Sequence, residues 1–319
     1  MKGLGLAAGW LLDRWLGDPR RGHPVAGFGT VAGALEERTY ADRRAAGALH
    51  VTLLVGGTTA LGLALSRLAR DRPWAHVIIT AAATWTVLGG RSLEREAMII
   101  GDHLLAGRIE AARDRLPHLV GRDPSESPSE IARAVVESVA ENTSDAVVAP
   151  LVWGAAAGVP GLLTYRAINT LDAMIGHRSA RYERFGFVAA RLDDLANWVP
   201  ARLTAALTVV LAPLVDGSPA AAWRAAPDAV RHPSPNAGPV EACFAGALGI
   251  TLGGRNTYQG TESDRGTLGS GPPPTASDIA RSVRLSRAIG VAATGLLVGG
   301  TMIRSRVRAG QRSRSSGPH

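Results

Sequence analysis

One cysteine, Cys243, and one lysine, Lys2, occur in 319 residues. A lone thiol closes no intrachain disulfide, and no CxxC pair or Cys/His cluster offers a metal site, so neither zinc nor haem is expected. Phosphate loops of the GxxxxGK[ST] type, a GxGxxG following a strand, a GxSxG elbow and an HExxH helix are all missing. Strand-helix alternation is missing too, which argues against an α/β nucleotide fold. Aromatic residues make up 5% of the chain and charged residues 19%, against 46% hydrophobic. The basic residues outnumber the acidic by 35 to 27 and are nearly all arginine. They are scattered apart from the tail RSRVRAGQRSRSSGPH, a pattern that suits cytoplasm or anionic lipid better than nucleic acid.

What remains is a chain of apolar runs separated by polar stretches, with a mean hydropathy of +0.07. Ala45–Ser66 holds His50 as its only ionisable group and is long enough, at about 1.5 Å per residue, to cross a hydrocarbon core. After the polar connection RLARDR, Trp74–Gly90 supplies a second apolar run, so the two read as a transmembrane hairpin, with a buried soluble pair as the alternative. Leu203–Val215 and Ala288–Ile303 are ambiguous between spans and buried helices. Leu4–Leu16 reads as a short interfacial helix anchored by Trp10 and Trp15, and Asp13 and Arg14 interrupt it, so no signal peptide is expected. Pro150, Gly154, Gly158 and Pro160 permit a re-entrant segment over 146–165. Residues 254–274 read as a Gly/Pro-rich loop. The expected fold is all-α, a polytopic integral membrane protein with about four to six apolar helices, amphipathic helices and long polar loops. Residues 1–303 would form one membrane domain and 304–319 a basic, disordered tail.

Polar residues gather over 130–202. Glu137, Glu141 and Asp145, at i, i+4 and i+8, bring three carboxylates within roughly 80° of one helix face, with Asn142 alongside. They suit hard-cation ligation or an amine, or else a solvated face paired with Arg133. Tyr165, Asn169 and Asp172 follow an apolar run at i, i+4 and i+7, beside Arg166, where polar side chains are expensive and tend to be functional. Farther on, Arg191, Asp194 and Asn197 share a face and Asp193 pairs with Asn197. Asp18 with His23, Arg122 with Asp123, and Ser234, Asn236 and Glu241 are further polar positions in Gly/Pro loops.

In order, LLDRWLGDPRRGHPV, LVGRDPSES with ARAVVESVAENTSDAVVAPL, YRAINTLDAMIGHRSARYERFG, ARLDDLANWVPARL, HPSPNAGPVEACFAGALGI and DIARSVRLSRAIG resemble the blocks of the CobD/CbiB cobalamin biosynthesis proteins. One departure is Gly266, where the family's loop leads one to expect proline. The resemblance implies a multi-pass protein of the cell (inner) membrane, an adenosylcobinamide-phosphate synthase joining (R)-1-aminopropan-2-ol or its phosphate to adenosylcobyric acid through an amide. ATP and Mg²⁺ are implied as well. So are partners: the corrinoid and aminopropanol substrates, membrane lipid and other late membrane enzymes of the pathway. On this reading Glu137, Glu141, Asp193 and Asp194 are the catalytic candidates, and Glu137, Glu141 and Asp145 the Mg²⁺ candidates. Asn169, Asp172 and Asn236 would orient substrate amides, while Arg122, Arg166 and Arg191 would hold phosphate or the corrin carboxylate. Asp18, His23, Asp123, Asn142, Asn197, Ser234 and Glu241 complete the substrate-binding candidates. The alternatives are a membrane CDP-alcohol phosphotransferase, whose motif spacing Asp172–Asp194 does not match, and a corrinoid carrier without ligase activity.

Overall fold

Two glycines on one face, Gly5 and Gly9, decide how the first helix packs. In the computed structural model, which describes residues 1–19, 22–121, 127–177, 179–258 and 261–315 (backbone alone at 255–258, 261–263 and 305–315), α1 spans Lys2–Leu16. It is followed by α2 (Pro24–Thr39), α3 (Arg44–Leu68), α4 (Pro73–Val87), α5 (Gly90–Leu105), α6 (Ile109–Arg115) and α7 (Pro128–Thr143). A π-helical turn, Ser144–Val148, leads into α8 (Ala149–Ala157) and α9 (Val159–Leu171), and a second π turn follows at Asp172–Gly176. Next come α10 (Phe187–Leu211), α11 (Pro219–Ala225), α12 (Ala237–Leu248), strands β1 (Leu252–Tyr258) and β2 (Thr261–Leu268), and α13 (Ala276–Ser315). The protein is an all-α membrane protein with a single antiparallel hairpin among the described residues.

The chain divides into two compact units, neither contiguous in sequence. That interleaving is why no linker composition marks a boundary. The first contains Met1–Leu88, Pro150–Ala190 and Ala292–His319, and in it α1 lies on α4 and α3 on α9. A Cβ on Gly9 would meet Ala81 O at 2.5 Å and Thr84 Cβ at 2.4 Å, so the backbones touch where any side chain would hold them apart. Small residues permit such close approach, and with it the dispersion contacts that drive helix association in lipid. The expected interfacial helix is therefore also a packed one, although Trp15 at its end is exposed. Leu6, Ala83, Val87, Val159 and Leu162 form a core here. Lys2 Nζ donates to Ala155 O at 2.7 Å and closes the C-terminal end of α8. Gly158, at φ 70°, breaks α8 from α9, which leaves helices of 9 and 13 residues over the stretch expected to be re-entrant. Gly9→Val is expected to abolish a monodisperse, cooperatively melting protein in detergent. Gly57→Val, where a Cβ meets nothing within 4 Å, is expected to melt like the parent.

The second unit contains Gly89–Ala149 and Arg191–Val291. Its centre is α12, of which Val240 to Ala245 are all buried. Arg281 donates to Leu248 O at 2.8 Å and Val215 O at 2.9 Å, satisfying two helix-terminal carbonyls with one cation held by Asp278. The buried Glu94 takes two donors from Arg287, at 2.9 and 3.2 Å, and Thr143 donates to Ser286 Oγ at 2.7 Å.

Among the described residues, three helical stretches are long and apolar enough to cross a membrane: Arg44–Leu68, Phe187–Val215 and Ala276–Arg304. The first contains the run expected at 45–66. The two ambiguous runs are the apolar ends of 29-residue stretches that begin in polar sequence. The second arm of the expected hairpin, α4, is 15 residues, below the length of a simple span. The backbone of α13 stays helical through Ser315, so the basic stretch from 304, expected to be disordered, continues the helix that far. Residues 252–268, largely within the expected loop, pair as a hairpin with an irregularity between Gly253 and Arg255. Gly266 has φ 71°, which proline, fixed near −65°, cannot adopt.

Candidate functional site

In the second unit the site is built from α7 outward. Ser127 Oγ accepts from Glu130 N at 3.2 Å and Pro128 opens the helix, so its start is fixed by a cap and a preset φ. Glu137 then falls on the inner face, 3% exposed, and its Oε1 accepts from Gly253 N at 2.8 Å. Arg133, one turn back, donates to Gly253 O and lies 3.8 Å from the same carboxylate oxygen. These two side chains therefore clamp both backbone groups of Gly253 at the base of the hairpin. One turn on, Glu141 is half-buried, and its carboxylate makes no hydrogen bond or ion pair with any described residue. Asn142 turns back to Ser138, donating to its carbonyl at 3.0 Å and its hydroxyl at 3.2 Å. Asp145 lies past the end of α7, in the π turn, where the α-helical register that would align it with Glu137 and Glu141 no longer holds.

The expected three-carboxylate Mg²⁺ set is accordingly not assembled: among the described residues no group of three His, Cys, Asp or Glu is placed to hold a metal ion. One acid of the set is spent on the hairpin and another has left the helix register. Within that set only Glu141 offers a carboxylate that the described residues leave unused.

On α10, Arg191 NH1 lies 3.1 Å from Asp194 Oδ2, and Asn197 Nδ2 donates to Asp193 Oδ2 at 2.9 Å, the i,i+3 and i,i+4 pairs that the spacing anticipates. The segment 232–236 comes against this face. Asn236, 6% exposed, donates from Nδ2 to Asp194 O at 2.8 Å and accepts on Oδ1 from Arg202 NH1 at 2.6 Å. Each end of its amide thus has a partner within the protein. Ser234 Oγ accepts from Asn236 N and Ala237 N, at 3.3 and 3.1 Å, and so fixes the start of α12.

Glu241 is also turned inward. Its carboxylate is fully buried, 3.7 Å from His232 Nε2 and 3.5 Å from Arg265 NH1 of β2. It ties α12 to the hairpin instead of meeting substrate. Burial, with the Arg265 cation adding to it, pushes His232 down to about 4. The unfolded chain takes up a proton near the ordinary value of about 6.5 that the folded chain refuses until about 4, so stability is lost as pH falls through that window. The melting temperature is expected to drop between pH 6.5 and 4, and His232→Gln to flatten the drop.

In the first unit Asp18 Oδ1 lies 3.8 Å from His23 Nε2, while His23 Nδ1 accepts from Val25 N and caps α2. Arg166 NH1 reaches Asn169 Oδ1 at 3.5 Å, and Asp172 opens the second π turn. Tyr165, expected on the same polar face, is instead buried in the core. Arg122 and Asp123 lie outside the described residues. Arg133 is visible in the sequence as the i−4 partner of Glu137. Arg202, His232 and Arg265 give no such signal as site residues, because their partners are distant in the chain.

A family model described as CobD/Cbib protein matches residues 6–286. The chain belongs to the CobD/CbiB family. Among its CobD/CbiB relatives, the cobalamin biosynthesis protein CobD of Mycobacterium tuberculosis (strain ATCC 25618 / H37Rv) is 55% identical over 300 residues, 93% of this chain and 95% of the relative. The protein of the same name from Chromobacterium violaceum is 43% identical over 286 residues, 86% and 89% of the two chains. That of Rhodobacter capsulatus is 40% identical over 290 residues, 89% and 90%. No solved structure matches. The CobD/CbiB match takes in every candidate residue from Asp18 to Glu241 and ends within α13.

Proposed function

We propose that this CobD/CbiB protein is an adenosylcobinamide-phosphate synthase, a multi-pass protein of the cell (inner) membrane that joins (R)-1-aminopropan-2-ol or its phosphate to the free carboxylate of adenosylcobyric acid. The observation that carries the reading is the match over residues 6–286, which is unbroken across both units and includes the polar faces of α7 and α10. Carboxylate and ammonium do not condense unaided at neutral pH. The carboxylate oxygen has to leave as part of a phosphate or AMP group supplied by ATP, while the amine nitrogen forms the C–N bond and gives up its protons.

Glu141 is the described acid best suited to that proton, since its carboxylate is engaged by no described neighbour. Arg191 with Asp194 lines the polar face of α10 and offers a guanidinium for an anionic group. The side chains do not fit a cage of protein carboxylates for Mg²⁺. They fit one carboxylate, Glu141, beside an ion otherwise held by nucleotide phosphates and water, the usual manner for this cation. When bound, the ion would screen the phosphate charge.

The test is incubation of the purified protein in detergent with adenosylcobyric acid, aminopropanol phosphate, ATP and Mg²⁺, read by mass spectrometry. A corrinoid product heavier by the amine less one water, formed only with ATP, supports the reading. Bound but unchanged corrinoid would replace it with that of a carrier.

A further inference from the structure

The segment that follows α10 carries its apolar residues on the outside. Ser218 Oγ accepts from Ala221 N at 3.3 Å and starts α11, which runs on into 3₁₀ turns over Ala226–Arg231. Ala222 and Ala225 are buried, and α11 packs on α12. Ala220, Trp223, Pro227 and Val230 are exposed, and their spacing of three and four residues sets them along one side of the segment. Trp223 is 69% exposed and Val230 87%, whereas a helix facing water carries polar residues on its outer side. Arg224 and Arg231 each stand one position past these two, exposed, and neither makes an ion pair with a described residue. The segment's acid is turned away: Asp228 Oδ2 accepts from Gly269 N at 3.0 Å, while Asp216 occupies the turn that leaves α10. Val215 closes a stretch long and apolar enough to cross a membrane, and Leu214 beside it is exposed. The stripe therefore begins within a few residues of the end of a span. An indole and aliphatic stripe edged by arginines suits the boundary between acyl chains and phosphates, where tryptophan settles and arginine meets anionic headgroups.

We propose that residues 219–231 lie in the surface of an anionic phospholipid bilayer, with Trp223, Pro227 and Val230 among the upper acyl chains and Arg224 and Arg231 on lipid phosphates. This anchor also holds the β-hairpin at the membrane surface, because the segment is tied to it from behind. Asp228 holds Gly269, next after β2, and His232, next after Arg231, lies 3.7 Å from Glu241, which reaches Arg265 of β2. Nitroxide labels on Ala220→Cys and Val230→Cys in the full chain decide it. The protein is reconstituted in vesicles of phosphatidylcholine and phosphatidylglycerol, and electron paramagnetic resonance reads collisions with oxygen and with a water-soluble nickel chelate present on both sides. Glu110→Cys, at an exposed charged position, is the aqueous reference, and the parent, whose Cys243 is buried, is the labelling blank. Both labels are expected to favour oxygen over the chelate and to sit about 5–10 Å below the phosphates. They are expected to become shallower in phosphatidylcholine alone, and equally so when Arg224→Gln and Arg231→Gln are combined. Chelate access equal to that at position 110 would put the stripe in water and overturn the proposal. Low access to both reagents would mean that a protein surface, such as a second copy of this chain, covers the stripe, and would overturn it too. Depths indifferent to both phosphatidylglycerol and the two arginines would overturn the phosphate contact.

Discussion

Glu241→Ala is expected to lower the stability of the second unit by about 3–5 kcal/mol, the cost of leaving a buried charge without its partner. The carboxylate is fully buried between His232 and Arg265, so its removal takes an anion from beside the largely buried Arg265 guanidinium and opens a cavity beside α12. Glu241→Gln keeps the volume and one acceptor oxygen, and is expected to fall between Ala and the parent. The effect should be localised: hydrogen exchange over 252–268 is expected to quicken first, because Arg265 is the link from β2 to α12, while Glu137 and Arg133 still hold Gly253 of β1. Tryptophan-fluorescence melting in detergent reads the global loss. An Ala variant that melts with the parent would show that the charge cluster adds nothing to the fold.

The same cluster shows where a sequence stops being legible. Arg191 with Asp194 and Asp193 with Asn197 are readable because a helix fixes the geometry of residues three and four apart. Asp18 with His23 is readable because the two are only five positions apart in the sequence. Glu241 with Arg265, Glu137 with Gly253 and Asn236 with Arg202 join elements whose meeting depends on the whole fold, and nothing local announces them. The three-carboxylate face fails for a subtler reason, since a π turn has no strong sequence signature and yet removes Asp145 from the series.

Length is misleading in a related way. The apolar residues of Leu203–Val215 and Ala288–Ile303 report where a helix meets lipid and not where it starts. Both helices begin a dozen or more residues earlier, at Phe187 and Ala276, in turns whose charged residues serve the site or the packing. The hairpin at 252–268 is hidden because its base is held by side chains of α7 and α12, not by an apolar alternation of its own.

Glu141→Gln is expected to reduce amide formation by about 10²–10⁴-fold, the typical contribution of a positioned acid–base group, with the melting temperature within about a degree of the parent because no described residue depends on this carboxylate. Glu137→Gln is expected to behave in the opposite sense. Its carboxylate accepts from Gly253 N beside Arg133, so the amide variant should loosen the hairpin base and lower stability by about 1–3 kcal/mol. Two acids one turn apart on the same helix are thus separated by what already touches them. Steady-state rates and melting curves on the two variants, together with Asp145→Asn in the adjoining π turn, decide the matter. If Glu137→Gln lost turnover at unchanged stability while Glu141→Gln kept full activity, the catalytic acid would have to be sought at the hairpin base, and Glu141 would be a solvated residue on the helix surface.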